Sequence, residues 1–283
     1  MRFPVILPEK KVDEDLGGWH EIEKKFHDEW AKTIKEEDVN YTKAFTAETA
    51  SENRYALSNF GNLVQARILD LGCGMGDASL YFATKKARVH AVDISPEMIK
   101  LVRRLATKKG YAKKLKAEVM VAEQLKFPSR YFDYVFGNGI LHHVQVDVAL
   151  KEVCRVLKPN GIAVFIEPLG HNPVINIYRK IANKVRTVTE TPLNYSQLDR
   201  LTTAKYKSHY HKEFHLFTLL IFLWFYFVES ADPNKERYWK KIINDADRIK
   251  GPYRIFEVFD NFLFKAFPYL RKFSWNTVLV YKK

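Results

Sequence analysis

The chain has 283 residues, 47% of them hydrophobic and 14% aromatic, and a formal net charge of +13 from 46 Lys and Arg against 33 Asp and Glu. That size and apolar content can bury a full core, which excludes a disordered or fibrous chain and allows one large domain or a domain with an added cap. Two cysteines, Cys73 and Cys154, are too few for a disulfide framework and match no metal spacing, so a reducing compartment is expected. The charge predicts attraction to polyanions or anionic surfaces and says nothing about fold.

Taken in order, Met1 to Lys10 is too short and too proline-broken for a signal peptide, and the expected location is cytoplasmic. The sequons at Asn40 and Asn194 then have no secretory context. Trp19, Ile22, Phe26, Trp30 and Ile34 follow helical spacing and predict an amphipathic helix packed across a ligand mouth. A second short helix is expected over residues 52–57. Ile68, Leu69 and Leu71 form the apolar run of a strand buried on both faces, and Gly72, Gly74 and Gly76 break it into a turn without Cβ atoms. The dinucleotide pattern G-x-G-x-x-G fails, because Asp77 stands at the third glycine position. A helix over 77–85 leads to a second strand, 88–92, that ends on Asp93, an acid placed to accept both hydroxyls of a ribose. Ser95, Pro96 and Glu97 start the next helix.

A third strand is predicted over 118–121 and a fourth over 131–136, the latter running into Gly137-Asn138-Gly139-Ile140-Leu141-His142-His143. In an open parallel sheet, ligands gather at the strand C-terminal ends. His142 and His143 are the titratable pair on this loop, and Glu167 follows the fifth strand, 162–166, onto the same rim. These three are the candidate general bases.

Asp-Leu-Gly-Cys-Gly-Met-Gly at 70–76, Val-Asp-Ile-Ser-Pro-Glu-Met at 92–98 and Arg-Val-Leu-Lys-Pro-Asn-Gly at 155–161 resemble, in order and spacing, the class I S-adenosylmethionine-dependent methyltransferases, in particular their small-molecule, type 11-like branch. The resemblance covers roughly residues 54–168. It implies an α/β fold, a Rossmann-like, doubly wound, mostly parallel seven-stranded sheet with an antiparallel last strand, and S-adenosylmethionine as cofactor. It also implies cofactor contacts from Asp70, Gly72, Cys73, Gly74, Gly76, Asp93, Ile94, Met98, Ala122, Glu123, Gln124, Asn138 and Gly139. By the same resemblance, Arg54 or Tyr55 reaches the cofactor carboxylate. The chain departs from the pattern at Val121, where the family commonly has Asp, so Glu123, a backbone carbonyl or apolar contact must hold the adenine.

Beyond Pro168 the motifs fade. Residues 206–214 and 277–281 read as the closing antiparallel hairpin, with 216–273 inserted between them as a helical cap. The division expected is a lid over 1–52, a core over 53–215 and 274–283, and that cap. Half of the 40 aromatic residues fall between Tyr206 and Trp275. Leu216 to Val228 is free of charge, too short to span a bilayer and suited to a buried or interfacial helix. Two further helices are expected, one from Asp232-Pro233 carrying Tyr238, Trp239, Ile242, Ile243, Ala246 and Ile249, and one carrying Ile255 to Phe267. His209, His211 and His215 alternate along one strand without a partnering acid cluster, and no metal site is expected. The functional expectation is direct methyl displacement onto a small or medium hydrophobic acceptor such as a lipid, quinone, isoprenoid or other secondary metabolite, with peripheral contact at a membrane surface. The alternatives are RNA methylation, motivated by charge alone, and a non-catalytic cofactor-binding protein. No RNA-binding module is legible, and the aromatics run in apolar stretches instead of alternating with Arg and Lys. Nothing in the sequence specifies an oligomeric state.

Overall fold

A computed structural model of the protein describes residues 16–182, 184, 186–201, 205–232 and 238–283; the expectations for residues 1–15, for Pro233 and for the Trp239 side chain lie outside what it describes. Seven strands form one sheet in the order β3-β2-β1-β4-β5-β7-β6. They are β1 Arg67–Leu71, β2 Arg88–Asp93, β3 Leu115–Val119, β4 Phe132–Asn138, β5 Leu157–Pro168, β6 Ser208–Phe214 and β7 Asn276–Lys282. The first five run parallel, and β7 is antiparallel to both of its neighbours. This is the Rossmann-like methyltransferase fold that the motifs imply. The strand order reverses direction between β1 and β4, so the loops leaving their C-terminal ends diverge and open a crevice.

Among the described residues, ten α-helices surround the sheet: α1 Leu16–Thr33, α2 Tyr41–Thr46, α3 Ser51–Ser58, α4 Asp77–Thr84, α5 Pro96–Lys108, α6 Val146–Val156, α7 Pro173–Ile181, α8 Leu219–Leu223, α9 Tyr238–Asn244 and α10 Ala246–Ala266. Helix α5 begins as its sequence predicts, with the Ser95 hydroxyl accepting from the Met98 N–H at 3.1 Å and proline in the first turn. Helix α1 is anchored there too, because Asp28 Oδ1 accepts from the Ser95 hydroxyl and from the Glu97 N–H at 3.2 Å. The core lies on both faces of the central strands, where Ile68, Leu69, Val135, Phe165 and Leu279 have no exposure.

Several expectations shift. Strand β3 begins three residues before its predicted start, because Lys114 and Lys116 mask a half-exposed edge strand that buries only Leu115 and Ala117. Strand β5 begins five residues before its predicted start, with 158–161 inside it as a bulge: pairing jumps from Phe132 with Leu157 to Tyr134 with Ile162, and Asn160 takes a φ of 63°. Helix α1 is rotated relative to its apolar pattern, leaving Ile22 45% exposed and burying Glu23 to 2%. Helix α7 had no predicted counterpart; Asn172 caps it, accepting from the Val174 N–H at 3.0 Å, and Pro173 opens it. In the cap, the charge-free stretch becomes α8 followed by one π-helical run, Trp224–Val228. The last two helices divide at Asp245, and Gly251-Pro252 lies inside α10, where proline removes one main-chain hydrogen bond without ending the helix.

Candidate active site

At the C-terminal ends of the parallel strands lies a cavity of about 370 Å³, within the range of small-molecule sites, about 300–1,000 Å³. One wall is mostly main chain. The Gly72 and Cys73 N–H groups both donate to the Val92 carbonyl at 2.9 Å, which ties the glycine turn to β2. The Gly74 N–H donates to Asp93 Oδ2 at 2.9 Å and the Ser95 N–H to Asp93 Oδ1 at 2.9 Å, so the acid is held rigidly at the rim. Gly74 has a φ of +49°, and a Cβ there would meet nothing within 4 Å, so the turn presents bare backbone to open space. Asp70 accepts from the Ser79 hydroxyl, fastening β1 to α4, and burial pushes its carboxyl up to about 7.

Of the residues singled out from the sequence, Asp70, Gly72, Cys73, Gly74, Asp93, Ile94, Ala122, Glu123, Asn138, Gly139, His142, His143 and Glu167 line the cavity. Five candidates lie outside its lining. Gly76 is the left-handed N-cap of α4, packed so that a Cβ would stand 2.9 Å from Val102 Cγ2. Met98 is wholly buried in the core. Gln124 is exposed, its N–H turned back to the Val121 carbonyl. Arg54 donates to the Glu48 carbonyl at 2.8 Å, and Tyr55 packs on Phe214 with ring centroids 5.6 Å apart. The neighbouring residues Glu52 and Asn53 line the cavity from α3 instead.

The polar part of the site centres on Glu167. Its Oε1 accepts from the Ile140 and Leu141 N–H groups at 3.0 and 2.8 Å, and its Oε2 lies 2.7 Å from His142 Nδ1. The other ring nitrogen of His142 faces Glu190 Oε1 at 3.0 Å. Burial opposes charging of His142, but the two carboxylates outweigh it and lift its pKa to about 9. Glu190, also paired with Arg186, is held at about 2 against the effect of burial. His143 goes the other way: burial and the charge on His142 lower its pKa, against the opposing pull of Glu23 and Glu190.

Sequence reasoning missed the residues that meet these histidines from other segments. Helix α1 supplies Glu23, whose Oε2 stands 3.1 Å from His143 Nδ1 and 3.6 Å from His27 Nε2. Despite burial, these pairings hold the Glu23 carboxyl far below the usual range. The segment after α7 supplies Arg186, Thr187 and Glu190. No sequence signal marked Glu23, a polar residue that the periodicity of its amphipathic helix assigns to solvent, and the segment holding Glu190 has no periodic pattern at all. The strand histidines do not converge: His209 stacks on Tyr281, His211 faces Glu213 and Asp199, and His215 bonds Glu52 at 2.9 Å. The rest of the cavity is apolar, with Phe26, Trp30 and Phe45 on one side and Tyr178, Tyr238, Ile242, Ile243 and Trp275 on the other. Among the described lining residues Arg186 is the one Lys or Arg.

These residues fit S-adenosylmethionine. The rim acid suits a ribose, and bare glycine backbone permits close approach. Glu123 Oε2 is a buried acceptor without a hydrogen bond, next to the position where the usual Asp is Val121. The fold is that of the class I S-adenosylmethionine-dependent methyltransferases, and the site is of the kind they carry at this rim. Residues 69–165 match the family described as a methyltransferase domain. The ubiquinone/menaquinone biosynthesis C-methyltransferase UbiE of Rickettsia massiliae is 38% identical over 111 residues, covering 37% of this chain and 45% of that protein. The methyltransferase YcgJ of Bacillus subtilis is 30% identical over 122 residues, covering 42% and 48%. The chain therefore spans about half the length of these curated relatives. Two solved structures share the fold. Geranyl diphosphate C-methyltransferase from Streptomyces coelicolor A3(2) has a TM-score of 0.56 at 14% identity, covering 82% of this chain and 75% of that one. Haemonchus contortus phosphoethanolamine N-methyltransferase 2 has a TM-score of 0.59 at 18% identity, covering 92% and 59%.

Proposed function

We propose that this protein transfers a methyl group from S-adenosylmethionine to a hydrophobic small molecule bearing one polar group. The observation that carries the reading is a single cavity with two unlike walls: a glycine turn and Asp93 on one side, an aromatic and aliphatic surface from α1, α7, α9 and Trp275 on the other. The similarity to proteins of quinone biosynthesis, and to one named for geranyl diphosphate, supports an apolar acceptor.

When bound, the cofactor supplies a methyl group on a sulfonium that needs no further activation. The chain's part is alignment and exclusion of water. Glu167 fixes the 140–142 loop through its main-chain contacts, and the aromatic wall keeps the reacting region dry. Of the three candidate bases, His142 has both ring nitrogens on carboxylates and Glu167 is occupied by the loop, which leaves His143 to meet the acceptor's polar group.

The outer face of the cap supports a meeting with the acceptor at an anionic lipid surface. Ile255, Val258, Phe259 and Phe262 form an exposed stripe on α10 at helical spacing, and Phe217, just ahead of α8, meets Phe259 with ring centroids 4.9 Å apart. Trp224, Phe227 and Val228 are exposed on the π-helical run, Phe227 to 78%. The exposed charged side chains of α10 after Lys250 are Arg254 and Lys265, both cationic. No described helix is long and apolar enough to cross a membrane.

The test is methyl turnover with labelled cofactor on a panel of alkylated phenols, quinols and isoprenyl diphosphates, with RNA in parallel. Saturable turnover of an apolar acceptor that changes little with salt is expected. Turnover of RNA alone, falling steeply as salt rises, would refute the reading.

A further inference from the structure

The Glu23 side chain is oriented as a ligand is. Its Oε1 accepts from the Thr187 hydroxyl at 2.9 Å and from the Thr189 hydroxyl, which fixes the carboxylate plane. Its Oε2 is buried and lacks an aligned hydrogen bond, and so does His143 Nδ1, although the two atoms are 3.1 Å apart. His27, one helical turn after Glu23, brings Nε2 to 3.6 Å from the same oxygen. The three donor atoms lie within 4.8 Å of one another. Ligands about 2.0–2.2 Å from one ion stand roughly 3–3.6 Å apart, so both separations are those of donors converging on a shared point. A second group, His142, His143 and Glu190, is equally compact. It is the poorer set, because both ring nitrogens of His142 already face carboxylates.

We propose that Glu23, His27 and His143 form a site for a divalent d-block cation of the Zn²⁺ class. Two imidazoles and one carboxylate are a ligand set that such ions favour over the all-oxygen shells of Mg²⁺ and Ca²⁺. All three residues line the cavity, so coordination positions not filled by protein open onto the acceptor chamber. The hydroxyls behind Glu23 orient the ligand in the way outer partners orient metal-bound carboxylates. The ion's use rests on the methyl-transfer reading: it would grip an oxygen of the acceptor beside the 138–143 loop. Binding of the ion does not depend on that reading.

The experiment is calorimetric titration of the chelator-treated full chain with ZnCl₂, and with S-adenosylhomocysteine in a parallel run. One equivalent of Zn²⁺ is expected, accompanied by a rise in melting temperature. Glu23→Gln and His143→Ala should each weaken Zn²⁺ binding by at least about 100-fold. His209→Ala, on the far strand, should leave it unchanged. His27→Gln serves if either variant fails to melt cooperatively. Wild-type protein that takes up no stoichiometric Zn²⁺, or variants that bind it as tightly as wild type, would overturn the site. Protein that binds S-adenosylhomocysteine but not Zn²⁺ sinks the ion site alone, and the converse sinks the methyl-transfer reading alone.

Discussion

The two walls of the cavity are built by different means. The wall proposed for the cofactor comes from one stretch, 70–139, through backbone conformations at consecutive strand ends, and its rim acid Asp93 is held by main-chain N–H groups. The acceptor wall comes from α1, from the segment around 186–190, from α9 and from Trp275, meeting through side chains far apart in sequence. A wall made of backbone tolerates change in the side chains around it. A wall assembled from distant side chains can be remade by single substitutions, and acceptor choice can drift while cofactor binding stays fixed.

Asp93→Ala probes the cofactor wall most severely. It removes an acceptor for two hydroxyls at about 1.5–3 kcal/mol each, a loss of roughly 100-fold or more in S-adenosylhomocysteine affinity by calorimetry. Unchanged affinity would mean the rim acid does not touch the ligand. On the acceptor side, Asp260→Ala comes next. This buried α10 carboxylate accepts from the N–H groups of Leu216 at 3.0 Å, Phe217 at 2.5 Å and Thr218 at 3.5 Å, and orphaning them should cost about 2–4 kcal/mol in denaturant unfolding. A loss no larger than that of an average surface variant would show that the cap's start is held elsewhere.

The smallest effect is expected from pH. Burial opposes charging of His215, but Glu52, with Asp260 and Glu257 beyond it, raises its pKa above the ordinary 6.5. A raised folded pKa means stability fully present below 6.5 and lost as pH climbs through the raised value. Melting temperature should therefore fall on the alkaline side of 6.5, and His215→Gln should flatten that fall. A slope identical in both proteins would place the titration on another group.

Local marks in the sequence explain which parts were legible. Gly72, Gly74 and Asp93 are readable because a turn with positive φ and an acid at a strand end are features of a few adjacent residues. The sheet was implied by the resemblance that the motifs at 70–76, 92–98 and 155–161 carry, which is why the fold was readable even where β3 was misplaced. Glu23 was not, because within α1 it occupies a polar position that periodicity assigns to solvent, and only the rotation of the helix buries it. Glu190 lies in a stretch without helical or strand period, brought to His142 by the path of the chain after α7. Arg54 and Tyr55 were placed on the right helix and the wrong face, since α3 turns Glu52 and Asn53 inward.

The hairpin of β6 and β7 pairs Phe214 directly with Asn276, and the Trp275 N–H donates to the His215 carbonyl at 3.0 Å, so the whole run 215–275 leaves and re-enters the sheet at one rung. In polymer terms the two ends of that run are already together, and doubling its length adds only about 0.6 kcal/mol of closure entropy. Evolution can therefore lengthen, shorten or exchange this segment between neighbouring strands at little cost to the sheet, and a chimera carrying a foreign segment between Phe214 and Asn276 should still bind S-adenosylhomocysteine.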